Sequence, residues 1–391
     1  MTAATDTLRF VRAQQVDAAP PPNLVRGPLA WVRANLFSGP LNTILTLVAL
    51  FLIYAIVPPI IKFFFIDAVW TGTNRDACRP EVVGRPVGAC WAYIIDKINY
   101  FIYGSYPAPL RWRVDIFFLL LAVGVGWMLW LEAPKRVLGA IYFFVVFPIL
   151  AFILLNGSSW LGIEYVPTSL WGGILVTIVV STVGIVFSLP LGVVLALGRR
   201  SRLPIIRMFS VIFIEFVRGV PLITVLFMAN TMLPLFLPEG VTVDRLLRPL
   251  VGVAVFASAY MAEVVRGGLQ AIPKGQYEGA MSLGLNYWQT NVFIILPQAL
   301  KIVIPGIVNT FIGLFKDTTL VAIVGIFDLI RTIEASRVDP VWAAPTINTT
   351  GYAFAAIFYF IFCWGMSRYS LMLERRLATD GQRAVAKGAY D

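Results

Sequence analysis

Residues 170–197, LWGGILVTIVVSTVGIVFSLPLGVVLAL, contain no charged side chain, and the run stops at Arg199, Arg200 and Arg202. An apolar segment of this length crosses a hydrocarbon core about 30 Å thick, and a basic stop marks a cytoplasmic end. Working outward, comparable runs occupy residues 41–66, with Pro58 and Pro59 as a kink, then 114–131 and 137–156 on either side of a turn holding Glu132, Pro134, Lys135 and Arg136. Downstream, residues 220–237, 250–268, 299–314 and 352–370 repeat the pattern. The fold class is all-α, a polytopic membrane helical bundle of about eight spans. Composition agrees, since 59% hydrophobic residues, 13% charged residues and a mean hydropathy of +0.80 lie outside the range of soluble domains.

The domain reading follows from these runs. Residues 1–40 form a basic tail with Arg9, Arg12, Arg26, Arg33 and a proline run at Pro20–Pro22, unlike a cleaved signal. Residues 41–166 hold three leading spans and a long loop, 67–113; residues 167–377 hold five spans; residues 378–391 are a C-terminal tail. With both termini cytoplasmic, the basic turns after the second, fourth, sixth and eighth spans all fall on the cytoplasmic side. The six Lys and Arg residues of the 67–113 loop would then be periplasmic, which a long loop tolerates. The net charge of +10 is spread beside apolar segments instead of forming one patch, so the lipid bilayer is the expected partner and nucleic acid is not. Histidine is absent, which removes His-liganded metal sites and His-based catalysis.

One internal segment is too polar for lipid. Residues 272–285, IPKGQYEGAMSLGL, place Pro273 at a helix start, Gly284 past its last turn, and Tyr277, Ala280 and Met281 on one face. The spacing predicts a surface helix of about 11 residues, roughly 16 Å long. Upstream, residues 205–216 are amphipathic, with Arg207 and Glu215 among Ile and Phe, and predict an elbow lying on the membrane surface. Lys316, Asp317, Thr318 and Thr319 interrupt the apolar pattern after residue 314, and the ten apolar residues 321–330 that follow, too few to span, are expected to be re-entrant or packed in a loop.

Glu278, Ala280, Gly284, Ile294, Leu296 and Pro297 resemble, in type and spacing, the EAA loop of ABC importer permeases, with Gly279 departing from a usual second Ala. The segments Glu215 to Leu222, Ala259 to Gly268, Lys316 to Leu320 and Leu373 to Arg376 resemble the polar amino-acid branch of that family. The resemblance covers about residues 167–377, the five-span type I importer core. The leading part looks like the N-terminal extension of general L-amino-acid permease subunits. It implies import of polar L-amino acids across the bacterial inner membrane, with a periplasmic amino-acid binding protein delivering substrate. It also implies a second homologous permease subunit, with a heterodimer favoured, and a cytoplasmic ABC ATPase dimer. No Gly-x4-Gly-Lys-Ser/Thr occurs, so this chain has no phosphate cradle. The chain is therefore expected to be no enzyme and to carry no cofactor, ATP and Mg belonging to the ATPase.

Residue roles follow. Lys274, Glu278, Gly279, Ala280 and Gly284 are the expected ATPase-coupling residues. Glu263 lies one turn inside the membrane, where an uncompensated carboxylate is costly, and with Lys316, Asp317 and Thr318 is a candidate for the substrate path. Glu215, Arg218 and Arg266 read as interfacial ion pairs, a reading that also competes for Glu263. Cys78 and Cys90 sit in the 67–113 loop, where both a disulfide and two free thiols are open. An ion-coupled secondary amino-acid transporter is the alternative, although it should carry buried coupling acids and inverted repeats.

Overall fold

The computed structural model describes residues 27–130, 132–238 and 243–377. Most of the N-terminal tail and the 378–391 tail therefore lie outside the described residues. The chain divides into two compact units after Ala68. The first unit holds α1 (Pro28–Leu36) and α2 (Pro40–Ile61), the latter running on through a π-type turn at Lys62–Ile66. Pro58 and Pro59 withdraw two N–H donors and crowd the preceding turn, and the wide turn after them absorbs the misfit. No residue of α2 is buried, an exposure of Ile, Leu and Phe side chains that only lipid makes acceptable.

The second unit begins with a folded lobe where the sequence predicted a loop. Cys78 and Cys90 are bonded, with Cα atoms 5.8 Å apart, and a parallel bridge joins Val69 to Cys90. Helix α3 (Trp91–Tyr103) follows, burying Tyr93, Ile94 and Phe101. Those apolar residues recur at helical spacing through Trp91, Ile94, Ile98 and Phe101, a signal diluted by the polar residues around it.

The spans then come in order: α4 (Ala108–Leu129), α5 (Arg136–Asn156), α6 (Gly173–Arg199), α9 (Leu247–Ala271), α12 (Ile304–Val324) and α14 (Ile347–Leu377). Between α6 and α9 lie α7 (Pro204–Gly219) and the irregular α8 (Leu222–Phe236), bent 106° from each other. Between α9 and α12 lie α10 (Lys274–Ser282) and α11 (Leu296–Ile302), and between α12 and α14 lies α13 (Leu329–Ser336). Among the described residues, seven helices are long and apolar enough to cross a membrane, or eight if the bent pair counts as one span. By packing, α4 and α5 belong with the core, whereas the sequence reading grouped them with α2.

Helix α6 packs along α9 through small residues. A Cβ on Gly192 would sit 2.7 Å from the Met261 side chain and 3.0 Å from the Ala262 nitrogen. At the other end of α6, Gly173 has φ +63° and lies against the Phe101 carbonyl, which seats α3 across the start of the span. Only glycine takes both that angle and that approach.

Two expectations are corrected. Lys316 to Thr319 do not break the helix: the chain tightens into a 3-10 form over Thr318–Val324 and continues to Gly325. The hydroxyls of Thr318 and Thr319 donate back to the Phe315 and Lys316 carbonyls, so these polar residues satisfy themselves within the helix. The break lies at Val303, where Pro305 follows two residues on and keeps the α11 register from continuing. Residues 321–330 are likewise not one re-entrant piece, because they end α12, turn at Gly325 (φ 79°) and begin α13.

The lobe closes over the α13 region. Lys97 Nζ meets Asp339 Oδ2 at 2.6 Å, and this ammonium holds the Asp339 carboxyl below the usual carboxylate range. The Trp342 indole donates to Asp96 at 2.8 Å, and the Tyr93 and Ser336 hydroxyls share a hydrogen bond. Replacing Cys78 and Cys90 together by Ser frees the loop between them, and by loop entropy should cost about 3 kcal/mol. Thermal unfolding of the purified protein should show the loss as a lower midpoint, matched by reductant on the native chain; an unchanged midpoint in both would show that the crosslink contributes nothing.

Candidate functional site

Helix α10 is short, polar and carried between two membrane helices. Pro273 caps it with ψ 144°, and the N–H that proline lacks is not needed at a helix start. At its far end Gly284 takes φ +74°, its N–H bonded to the Met281 carbonyl and the Leu285 N–H to Ala280, a Schellman ending. Asn286 and Gln289 then form a reciprocal capping box that starts the next helix.

One face of α10 is docked and the other is open. Ala280 is 4% exposed. Tyr277 lies half-buried over Arg200, whose guanidinium is 5.2 Å from its ring and donates to its hydroxyl at 2.7 Å and to the Leu269 carbonyl at 2.9 Å. Lys274, Glu278 and Gly279 are exposed. A Cβ built on Gly279 meets nothing within 4 Å, so the departure from the usual Ala reflects no lack of room.

Next to this helix the structure brings Glu215, Arg218, Glu263 and Arg266 together and adds Arg199. Arg199 Nη1 lies 2.7 Å from Glu215 and 3.4 Å from Glu263, Arg218 lies 3.5 Å from Glu263, and Arg266 donates to the other Glu263 oxygen. Arg218 also stands 5.6 Å over the Tyr260 ring. Three guanidiniums and two carboxylates thus fasten α6, α7 and α9 at one end, with Glu263 touching all three arginines. Arg199 and Arg200 were read from sequence only as a basic stop; their spacing to partners on other helices has no signature along the chain.

The other path candidates lie elsewhere. Gly184 of α6 packs against Val253 of α9 and Leu314 of α12, the latter one turn before Asp317; Glu263 is ten residues beyond Val253 along α9, about 15 Å. Lys316 is exposed, Asp317 half-buried, and Thr318 fully buried.

A buried acid that sequence reading missed caps α13. Asp328 is wholly buried and accepts from the Arg331 and Ile330 N–H groups, while the Thr177 hydroxyl of α6 accepts from Leu329 N–H. Burial pushes its carboxyl up to about 7 against those hydrogen bonds, with Glu334 adding a smaller push in the same direction.

The segment that holds α10 matches a family model. Residues 188–379 match the binding-protein-dependent transport system inner membrane component. The chain is 50% identical over 351 residues to the inner membrane amino-acid ABC transporter permease protein YhdY of Escherichia coli, covering 90% of this chain and 93% of the relative. This chain belongs to the amino-acid ABC transporter permeases. It is also 39% identical over 437 aligned residues to the glutamate/glutamine/aspartate/asparagine transport system permease protein BztC of Rhodobacter capsulatus, covering 95% and 98%. A probable glutamine ABC transporter permease, GlnP of Bacillus subtilis, is 32% identical over 210 residues, 53% of this chain but 93% of its own length. Members of the family thus exist with and without the leading part. Among solved structures, an amino acid ABC transporter with histidines aligns over 52% of this chain and 92% of its own at a TM-score of 0.45 and 28% identity. The chain is the membrane-spanning permease of an ABC importer, a transport subunit and not itself an enzyme. Permeases of this family work with an ATPase and a substrate-binding protein.

Glu263→Gln should leave its arginines uncompensated and destabilise the detergent-solubilised protein by about 1–3 kcal/mol, more than Glu215→Gln does. Equal midpoints for the two variants would contradict the central place given to Glu263. Asp328 sets a pH dependence of opposite sense to an ordinary paired acid. Its folded pKa lies above the unfolded value, so the stability it allows is present below about pH 4 and is lost as pH rises toward about 7. Asp328→Asn keeps the acceptor for the cap and should flatten that part of the stability profile; an unchanged slope between pH 4 and 7 would contradict it.

Proposed function

We propose that this permease forms the translocation path for polar L-amino acids and is driven through α10 by a separate cytoplasmic ABC ATPase dimer. The carrying observation is the open face of a short rod whose two ends continue into membrane helices: Lys274, Glu278 and Gly279 face outward while Ala280 and Tyr277 hold the rod to the bundle. Gly284 ends it cleanly, so the rod moves as a unit. ATP and Mg are bound by the ATPase, and this chain holds no cofactor.

The orientation that fits this reading puts both termini in the cytoplasm and the lobe of residues 69–107 in the periplasm. The reading is supported by the basic ends of α6 and α14 and by the disulfide in the lobe. A second homologous permease covers the face that carries Lys316 and Asp317. An exposed ammonium about 15 Å inside the end of a span is too costly against lipid, so that face meets water, substrate or a partner chain. Lys316 and Asp317 are accordingly the favoured path residues, whereas Glu263 is spent on its arginines and Thr318 on its own helix. A heterodimer is favoured, since one copy of the leading spans per complex suffices to bind a single periplasmic amino-acid binding protein at the lobe. The polar substrate class is supported by the Rhodobacter capsulatus relative, a glutamate/glutamine/aspartate/asparagine transport system permease.

Vesicles holding this chain with its ATPase, second permease and binding protein should take up one or more of labelled Glu, Gln, Asp, Asn and Arg only when ATP is enclosed on the α10 side. Glu278→Ala should abolish uptake with no loss of thermal stability, because the side chain touches nothing the fold needs. Uptake that ignores ATP and follows an ion gradient would overturn the reading.

A further inference from the structure

A cavity of about 280 Å³ runs between α5 on one side and α6 and α9 on the other. Its length is set by α6, where Val179, Val183 and Phe187 line it over eight residues, about 12 Å of helix. Ala151 and Phe152 of α5 and Leu247 of α9 face them. Polar groups gather at one end, beside the first turn of α6, with Thr182 alone farther along. At that end the Thr168 hydroxyl donates to Asp244 at 2.6 Å, which leaves both engaged with each other. Trp171 lines that same end, is 5% exposed, and its indole N–H is buried with no acceptor. A buried donor without a partner costs about 1–3 kcal/mol, so a ligand that brings an acceptor to that point is favoured by its position.

We propose that this slot is a binding site for one bilayer phospholipid, with an acyl chain lying along α6 and a glycerol ester carbonyl accepting from the Trp171 indole. Several features select that occupant. The slot opens sideways past Phe152, Phe187 and Leu247, which are 62%, 47% and 49% exposed on a surface apolar enough to face lipid, so a chain enters from the bilayer without crossing water. Apart from Thr182 the walls are apolar along the stretch that would hold a chain, which suits an acyl tail better than the two charged groups of an amino acid. The single orphan donor lies at the end of the span, the depth at which tryptophan side chains meet the ester region of a bilayer. Indole donates and cannot accept, which matches an ester carbonyl and not an ammonium or hydroxyl donor. The lipid fills the seam between the leading spans and the core, where empty space would forfeit dispersion contacts on both walls.

The test uses the full chain with its partner subunits, reconstituted in nanodiscs of phosphatidylethanolamine and phosphatidylglycerol, then extracted into mild detergent, washed, and analysed for retained phospholipid by mass spectrometry. The native protein should retain about one phospholipid per copy of this chain. Ala151→Phe fills the slot and should lower retention about tenfold or more, and Trp171→Phe, which keeps the ring and removes the donor, about threefold to tenfold. Size-exclusion profiles identify a variant that fails to fold, and Trp171→Phe then decides alone. A native protein that retains no phospholipid, a detergent molecule only, or the same lipid count in Trp171→Phe as in the native chain would overturn the proposal.

Discussion

The contact on which the rest of the molecule rests is the backbone approach of α6 to α9 at Gly192. Any side chain there would drive into Met261 and the Ala262 nitrogen, so two long core helices meet with almost nothing between them. Within lipid, helices gain no hydrophobic free energy from meeting each other, and close van der Waals packing between small residues supplies the attraction instead. Gly184, packed on Leu314 and Val253, repeats the device eight residues earlier, and Gly268, packed on the Ala299 carbonyl, extends it to α11. Two helices held in this way cannot slide or rotate against each other without opening voids on both.

The two ends of this pair are fastened by different chemistry. At the Arg199 end, three guanidiniums converge on Glu263 and Glu215, partly open to solvent and therefore adjustable. At the Gly173 end the fastening is buried and backbone-based. The Gly173 N–H donates to the Phe327 carbonyl and the Thr332 hydroxyl, Leu329 N–H donates to Thr177, and Asp328 caps α13 in full burial. The disulfide-tied lobe then covers α13 from outside, with Trp342 fully enclosed. A low-dielectric, hydrogen-bonded end resists opening more than an interfacial ion cluster does.

The sequence was legible wherever one physical rule acted along the chain. Apolar length located α2, α5, α6 and α9 to within about three residues and α4 and α14 to within about seven, and the glycine after residue 283 marked the end of α10 because a left-handed residue ends a helix in that way. Rules that act between distant residues left weaker traces. Arg199 and Arg200 carry the same sequence mark as any basic stop, yet one completes the Glu263 cluster and the other carries Tyr277. The polar run from Lys316 to Thr319 read as a break because charge inside a span is expensive, but the threonine hydroxyls satisfy themselves on the preceding turn and the helix continues. The lobe was hidden because its order comes from a crosslink and from Trp342 and Asp339, some 250 positions away, and not from its own hydropathy.

On the proposed reading of α10 as the driven rod, rigidity in the middle and adjustability at one end would let so small an element govern a membrane path. Its start is covalently the continuation of α9, and its Tyr277 is bonded through Arg200 to the last turn of α6. A displacement of α10 therefore acts on both members of the central pair at once. Because the pair is locked at Gly184 and Gly192, it does not dissipate the displacement by sliding, and the ion cluster around Glu263 re-forms at small cost as α7 adjusts. The motion then reaches the Gly173 end, where α6 is tied to residues 327–332 between α12 and α13. The segment at that end is joined by hydrogen bonds to the same helix that the proposed rod would move, so on that reading opening at one face and closure at the other would be one rigid-body step instead of two events needing separate coordination.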